Sequence, residues 1–555
     1  METDTKKFTF PDTTPATMVE TESEKPPHVD DVQQNDEQEE DGEYITGFKL
    51  WAILIAGTLV QFVMMLDQSI LATAVPYITD EFHSLLDVGW YGSAYQLASA
   101  AFQPLTGKLY THLRIKWTYF AFFFVFELGS LLCAIARSSK MLIVARAIAG
   151  LGGSGLMNGG LTMISACLPK HKRPAAMGMI ISIGQLGQAM GPLIGGAFTE
   201  KVTWRWCFYI NLPIGGIVLA LLATLEIPDR IAKPELRTLL RTIVTTLDIF
   251  GFLIFAPTAI MFFLALQYGG NQYPWGSATV IGLLVGAGVA FFLFLGWEYY
   301  RGDNAMILLS LFRKRIIWSS CLTMFFITGV LTCGAYYLPI YFQAVQGVSP
   351  IMSGVYYLPN ILLQITMAMI SGIMVQRFGF YLPWVVGGTA LASIGYGLLT
   401  MLTPTYKTAN RVGFQILAGA GLGSAAAMPM VAVQNLVPHA QISVAMAILV
   451  FFLNFGGATF LTFAETNFSQ SLPVAIAHHA PGVDASAIIA AGATGFRGVV
   501  SRDQLVGVLK AYSESVDHVF YLVCASAAAA FCFAWGMGWQ DIRNHRVKEQ
   551  DPATP

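Results

Sequence analysis

From residue 50 onward the chain reads as long apolar runs separated by short polar segments. The runs extend over about 50–71, 91–110, 117–136, 141–164, 177–198, 208–225, 248–267, 278–297, 317–343, 354–375, 382–402, 412–434, 445–468 and 517–538. A bilayer core of about 30 Å takes roughly 20 apolar residues per helix. The pattern therefore predicts an all-α membrane protein with fourteen transmembrane helices, and an even number puts both ends on one side.

Lys and Arg in alternate connections set the orientation, because positive charge is held on the cytoplasmic side. With the amino-terminal tail inside, the later inside segments carry eighteen such residues and the outside segments nine. That ratio predicts an N-in, C-in protein. The stretch Gly107-Lys-Leu-Tyr-Thr111-His112-Leu-Arg114 is echoed 265 residues later by Gly372-Ile-Met-Val-Gln376-Arg377-Phe-Gly379. Two six-helix halves, 48–228 and 301–540, separated by a linker and two inserted helices within 229–300, give such an offset. Parallel repeats of this kind mark transporters, with the binding site between the halves near the midplane.

Composition sharpens this picture. With 55% hydrophobic and 12% charged residues, against about 25% charged in soluble domains, a soluble enzyme is disfavoured. A net charge of -2 offers no basic surface for nucleic acid. The charge is unevenly placed: residues 1–43 hold fourteen acids and three lysines, and the remainder has a net charge of +9. Segment 1–47 is expected to be a disordered acidic cytoplasmic tail, and 541–555 a second cytoplasmic tail. The seven cysteines show no paired or metal-ligand spacing, and the nine histidines fall in the tail, in connections or at segment ends. No metal or cofactor is expected.

Asp67, Glu127 and Arg146 lie well inside apolar runs, where charge is costly and marks function or pairing. At a rise of 1.5 Å per residue, Asp67 lies roughly 25 Å along its span and Arg146 roughly 7 Å below the outer start of its own. Both fall in the outer half of the membrane. We expect Asp67 to exchange a proton and Arg146 to hold its carboxylate form; a permanent bridge between two helices is the structural alternative. Glu127 is a second proton site, a partner for a cationic substrate, or a silent protonated acid.

Uncharged polar residues recur at helical spacing. Gln96 and Gln103 are seven apart, Gln185 and Gln188 three, and Asn360 and Gln364 four, so each pair shares a face. With Asn158, Tyr95, Tyr336, Tyr337, Tyr341 and Phe452 they are candidates to line a mostly apolar cavity suited to amphiphilic organic molecules; interhelical hydrogen bonding is the plainer role for each. Gly187, Gly191, Pro192, Gly195 and Gly196 put a groove on one helix, so that another backbone can approach closely. Pro192 removes a backbone donor. The segment reads as a pivot or as close packing.

Five motifs in order carry a family resemblance. They are Leu66-Asp67-Gln-Ser-Ile-Leu-Ala-Thr-Ala-Val-Pro76, Arg146-Ala-Ile-Ala-Gly150-Leu-Gly-Gly153, Gly187-Gln-Ala-Met-Gly191-Pro192-Leu-Ile-Gly195-Gly196, Trp204-Arg205-Trp206-Cys-Phe-Tyr-Ile-Asn211-Leu-Pro213, and Tyr336-Tyr337-Leu-Pro339-Ile-Tyr341-Phe-Gln343 with Ser353-Gly354 to Leu358-Pro359. From about Lys49 to Gln540 the chain resembles the major facilitator superfamily, and within it the fourteen-helix drug:proton antiporters of fungal toxin and multidrug efflux. It departs from the family after the second span, where Thr111 and His112 replace the usual Asp and Arg and Gln376 takes the Asp position in the second copy, so the charged latch is depleted.

The resemblance implies a monomeric exporter of hydrophobic or amphiphilic small molecules, driven by protons, in the plasma membrane or alternatively the vacuolar membrane. An importer, for example of an iron chelate, would use the same scaffold, and a receptor signalling through the acidic tail is a further alternative. No Gly-x-x-x-x-Gly-Lys-Ser/Thr loop for ATP is present. Asn467-Phe-Ser469 is a weak glycosylation sequon on the expected outer side, where 469–515 reads as a capping loop.

Overall fold

The computed structural model describes residues 45–83, 87–229, 247–270, 273–302, 305–307, 309–402 and 408–543. The expectations for most of the acidic tail, the linker before the inserted helices and the carboxyl-terminal tail lie outside them. Fourteen helices of thirteen residues or more are present among the described residues: α1 Gly47–Phe82, α2 Val88–His112, α3 Ile115–Ala134, α4 Ser139–Cys167, α5 Arg173–Lys201, α6 Asn211–Ala223, α7 Ile249–Tyr268, α8 Ala278–Arg301, α9 Arg315–Ala344, α10 Pro350–Phe378, α11 Leu382–Leu399, α12 Thr408–Ala426, α13 His439–His479 and α14 Arg502–Ala534. A further stretch, Met428–Leu436, continues α12. Polar caps start several of them: Ser138 accepts from Met141 N, Asp248 from Gly251 N, Ser277 from Val280 N and Ser349 from Met352 N, each satisfying an orphan donor of the first turn.

Thirteen helical segments are long and apolar enough to cross a membrane, so the protein is an all-α integral membrane protein. The fourteenth expected span, α2, falls short of that measure because Gln96, Gln103, Lys108 and His112 dilute it. The expected capping loop is corrected as well. Helix α13 runs unbroken through Pro473 to His479, Ala485–Gly495 forms a separate helix, and α14 begins at Arg502. The apolar runs mark only the membrane-depth portion of these helices, and their polar ends carry the helical turn further.

The repeat is written in close backbone contacts that only glycine permits. A β-carbon on Gly150 of α4 would lie 2.1 Å from the Tyr95 carbonyl oxygen, and one on Gly419 of α12 would lie 2.2 Å from that of Asn360. Gly152 meets Phe126 N at 2.4 Å, as Gly421 meets Ala392 N at 2.3 Å. Gly187 of α5 meets the Phe62 carbonyl at 2.4 Å, as Gly456 of α13 meets that of Phe325 at 2.1 Å. Across these contacts α1 steps onto α9 by 263 residues, α2 onto α10 by 265, and α4 and α5 onto α12 and α13 by 269. The intervening pair α7–α8 packs on itself and lays α7 against α2 and α13, with Phe255 to Phe451 at 5.3 Å and Phe262 to Phe455 at 5.2 Å.

The echoed glycines acquire a physical meaning here. A β-carbon on Gly107 would lie 2.9 Å from Val444 Cα in α13, and one on Gly372 would lie 2.6 Å from the Pro174 carbonyl in α5. Each echo therefore ends a helix where the two halves touch backbone to backbone.

Candidate functional site

Helix α1 carries Asp67 and α4 carries Arg146, and the bundle brings them together. Arg146 Nη1 donates to Asp67 Oδ2 at 2.5 Å, and its Nε donates to the Tyr91 carbonyl at 3.0 Å. The guanidinium lies over the Tyr95 ring at 4.8 Å and the Phe208 ring at 5.9 Å. Asp67 is 0% exposed and Arg146 1%. The other carboxylate oxygen, Oδ1, accepts from Asn211 Nδ2 at 3.0 Å, and the same nitrogen donates to Ser130 Oγ at 3.1 Å. Asn211 belongs to the Trp204–Pro213 motif, but its link to Asp67 is invisible in sequence because 144 residues separate them.

Glu127 sits one turn before Ser130 on α3, and Gly215 one turn after Asn211 on α6. A β-carbon on Gly215 would lie 2.2 Å from Glu127 Oε1, so Ser130–Asn211 and Glu127–Gly215 are successive rungs between the same two helices. Glu127 is 8% exposed and neither of its carboxyl oxygens has a hydrogen-bond partner. A charge there would stand uncompensated in an apolar wall.

The glycines of α5 seat that helix on α1. β-Carbons on Gly187, Gly191 and Gly195 would clash with the Phe62 carbonyl, Ser69 and Thr73 respectively, whereas one on Gly196 would meet open space. Pro192 lies within α5 on its exposed side.

A cavity of about 210 Å³ lies between the halves. The first half lines it with Gln61, Gln68, Tyr95, Gln96, Ser99, Gln103, Gln185, Gln188, Met64, Met65 and Met157; the second with Met324, Ile327, Thr328, Leu331, Thr332, Met430, Leu453, Asn454 and Leu461. Among the expected cavity residues, Tyr95, Gln96, Gln103, Gln185 and Gln188 are brought together. Seven are placed elsewhere. Asn158 donates to Thr106 Oγ1 within the α2–α4 contact. Gln364 donates to Asn360 Oδ1, and Asn360 Nδ2 to the Gln415 carbonyl, between α10 and α12. Tyr337 packs on Phe468, Tyr341 on Phe342, and Phe452 among Phe312, Phe451 and Phe455, while Tyr336 is 53% exposed. Gln61 and Gln68 were missed although they are seven apart, the same signal used for α2. The methionines gave no signal, since an apolar side chain within an apolar run looks like its neighbours. Asn467 lies within α13 and donates to the His518 carbonyl at 3.3 Å.

The cavity is closed at the end of the bundle that carries the α2–α3 and α4–α5 connections. Fully buried Arg173, at the start of α5, donates to the carbonyls of Leu168 and Ser165 in its own half and, at 2.7 Å, to that of Gln434 in the other. Gln434 Nε2 returns a bond to the Leu161 carbonyl at 2.7 Å. Ser182 Oγ donates to the Ile365 carbonyl at 3.0 Å, and Thr162 meets Ser443 at 3.3 Å. On α2, α4 and α13 these seal residues and Gly107 flank the cavity-lining ones on one consistent side, Gln103 then Gly107, Met157 then Leu161, Ser443 then Val450; on α5 Arg173 lies on that side of Ile181 and Ser182 is level with it. Hydrogen bonds mostly to main-chain oxygen, three of them from the Arg173 guanidinium, thus close the end where a charged latch is depleted.

The sequence matches the family model described as Major Facilitator Superfamily over residues 57–307 and 301–461. It is 53% identical over 502 residues to "MFS-type transporter pigP" of Monascus ruber, covering 90% of this chain and 88% of that one. It is 49% identical to "Efflux pump mlcE" of Penicillium citrinum, covering 93% and 95%, and 39% identical to "Efflux pump aflT" of Aspergillus parasiticus, covering 92% and 99%. Among solved structures, the proton:xylose symporter XylE superposes with a TM-score of 0.58 at 14% identity, covering 89% of this chain and 96% of that one. That likeness speaks for the fold alone.

Proposed function

The chain belongs to the major facilitator superfamily, whose members are transporters and not enzymes, and from that premise we propose that it exports hydrophobic or amphiphilic small molecules in exchange for protons. Relatives named as efflux pumps support the direction. The uncharged cavity supports the substrate class, since Met, Leu and Ile walls with a few amides suit molecules that are mostly apolar. The halves 48–228 and 301–540 rock about it as a monomer, α5 pivots at its glycines, and the plasma membrane is the proposed location.

One observation carries the coupling: the Asp67–Arg146 pair is buried behind Tyr95, which touches both the guanidinium and the cavity. A proton arriving at Asp67 converts its carboxylate to a neutral acid and releases the guanidinium from its counter-charge. The reverse loss of the proton restores the pair. A substrate displacing Tyr95 changes the screening of the same pair, so cargo and proton act on one element. Glu127 is the second proton site, one turn from Ser130.

The test is transport by purified full-length protein in proteoliposomes. A transmembrane pH gradient should drive movement of a fluorescent amphiphile, and Asp67→Asn should abolish that drive while the protein remains inserted and monodisperse. Undiminished gradient-driven transport by the variant overturns the proton role, and proton-linked uptake instead of extrusion overturns the direction.

A further inference from the structure

Gln103 is 0% exposed, and neither its carboxamide oxygen nor its nitrogen has a hydrogen-bond partner, yet the residue lines the central cavity. Buried amides usually keep at least one bond, as Asn158, Asn211, Gln415, Gln434 and Asn435 do through their nitrogens, because an unmade bond at such a group costs about 1–3 kcal/mol. The two amides of α10 show the usual state, with Gln364 Nε2 donating to Asn360 Oδ1 at 2.5 Å. The main-chain carbonyl of Gln103 is already taken by Thr106 Oγ1 at 2.7 Å, so the side-chain amide is what remains unpartnered, covered at the cavity wall until a rotation of the side chain presents it.

We infer that Gln103 is the anchoring group for the transported molecule, and that this molecule is an uncharged amphiphile presenting a hydrogen-bond donor beside an acceptor, such as a hydroxyl next to a carbonyl. The inference rests on the transport reading above and adds the recognised chemistry. A carboxamide offers one acceptor oxygen and an N–H donor side by side, so its complement is a donor–acceptor pair rather than a lone ether or a lone ammonium. Among the described residues that line the cavity none is charged, and Asp67 and Arg146 are spent on each other at 2.5 Å. A charged substrate would enter without a counter-charge. The rest of the wall imposes little shape: Met64, Met65, Met157, Met324 and Met430 surround the site, and methionine adapts to irregular apolar partners. Selectivity in chemistry with tolerance in shape is the resulting behaviour.

Equilibrium binding of 3-hydroxyflavone and of its methyl ether 3-methoxyflavone to purified full-length protein, followed by their own fluorescence, tests this without a proton gradient. Wild type should bind the hydroxyl compound about tenfold more tightly, as expected for one well-made hydrogen-bonded pair. Gln103→Leu should bind the two alike by losing affinity for the hydroxyl compound only, and Gln103→Met, closer in shape, should do the same. Retained discrimination in both variants, equal affinities in wild type, or no binding of either probe would each overturn the assignment. Discrimination at equilibrium without any gradient-driven movement would instead leave Gln103 as the anchor and sink the transport reading.

Discussion

The step that carries Phe62 onto Phe325 carries Asp67 onto Val330, and the step that carries Gly150 onto Gly419 carries Arg146 onto Gln415. Val330 and Gln415 are buried like their counterparts. Where the first half holds an ion pair, the second holds a network of amides: Gln364 donates to Asn360, and Asn360 to the Gln415 carbonyl. The glycine contacts are the same in both halves to within a few tenths of an ångström. Packing was kept across the repeat while the chemistry at its centre was not, and under the proposed mechanism the Asp67–Arg146 coupling belongs to one half only. The same asymmetry recurs at the cavity, where six of the seven lining carboxamides come from the first half and Asn454, in register with Gln185, is the seventh.

Making the first half resemble the second is the strongest way to break this comparison. Arg146→Gln leaves Asp67 buried with only Asn211 as donor, and removing one partner of a buried pair costs about 3–5 kcal/mol. We expect a large fall in thermal stability and no gradient-driven transport. Adding Asp67→Asn should recover most of the stability and none of the coupling, read by melting in detergent and by proteoliposome transport. Should Arg146→Gln alone remain stable and coupled, the pair is ornamental and the asymmetry between the halves has no functional content.

The shared part of the comparison predicts equality. Gly150→Ala and Gly419→Ala each drive a methyl group into a facing carbonyl, and overpacking of this kind costs about 1–3 kcal/mol. The two losses should match within experimental spread in the same melting assay. A tolerated alanine in one half and a severe one in the other would show that the halves are packed by different rules.

The seal between the halves tests a smaller effect. Gln434→Leu removes the bond to the Leu161 carbonyl and leaves the main-chain oxygen that Arg173 uses. One net hydrogen bond is worth about 1 kcal/mol, so the equilibrium between closed and open at that end should move by roughly fivefold. Distance measurements between labels on the α4–α5 and α12–α13 connections would read the shift, and an unchanged distribution would remove Gln434 from the seal.

How far the sequence foretold all this follows from what each feature depends on. Span positions rest on apolar run length alone and were legible, α2 included as 91–110 against Val88–His112, although the polar residues of α2 dilute it below the measure that thirteen segments pass. The Asp67–Arg146 meeting was legible because two opposite charges at similar depth in a bilayer have few other solutions. The cavity was half legible. Gln96, Gln103, Gln185 and Gln188 lie on cavity-facing stripes, but Asn360 and Gln364 are also at helical spacing while facing a neighbouring helix, as the lone Asn158 does. Spacing fixes which residues share a face and says nothing of whether that face meets a void or another helix. The seal was illegible, since Arg173 and Gln434 act on main-chain oxygens that have no sequence signature.

The outer ends of α1 and α9 repeat the contrast at its smallest scale. Near the end of α1, Glu81 receives two bonds from Arg205, at 2.8 and 2.9 Å, and one from Trp204 Nε1 at 2.7 Å. At the corresponding end of α9, Arg497 Nη2 donates to the carbonyls of Ala344 and Val345 at 2.8 and 3.1 Å, and 263 residues again separate Glu81 from Ala344. The Arg205 hydrogen bonds hold the Glu81 carboxyl below its ordinary value of 4.5, with Trp204 acting in the same direction and burial opposing them. A carboxyl whose value is depressed on folding adds stability above its unfolded range and loses it as pH falls through the folded value. Glu81 is 44% exposed and Arg205 28%, so solvent screening keeps the contribution below about 1 kcal/mol. Arg205→Gln should therefore lower the melting temperature slightly at neutral pH, and the difference from wild type should vanish as pH falls through the lowered Glu81 value. Main-chain carbonyls do not titrate in this range, so Arg497→Gln should lower it by an amount that pH leaves unchanged. If the two variants show the same pH profile, the arginine–carboxylate clamp and the arginine–carbonyl one are not distinct devices, and the division of labour between the halves does not extend to these helix ends.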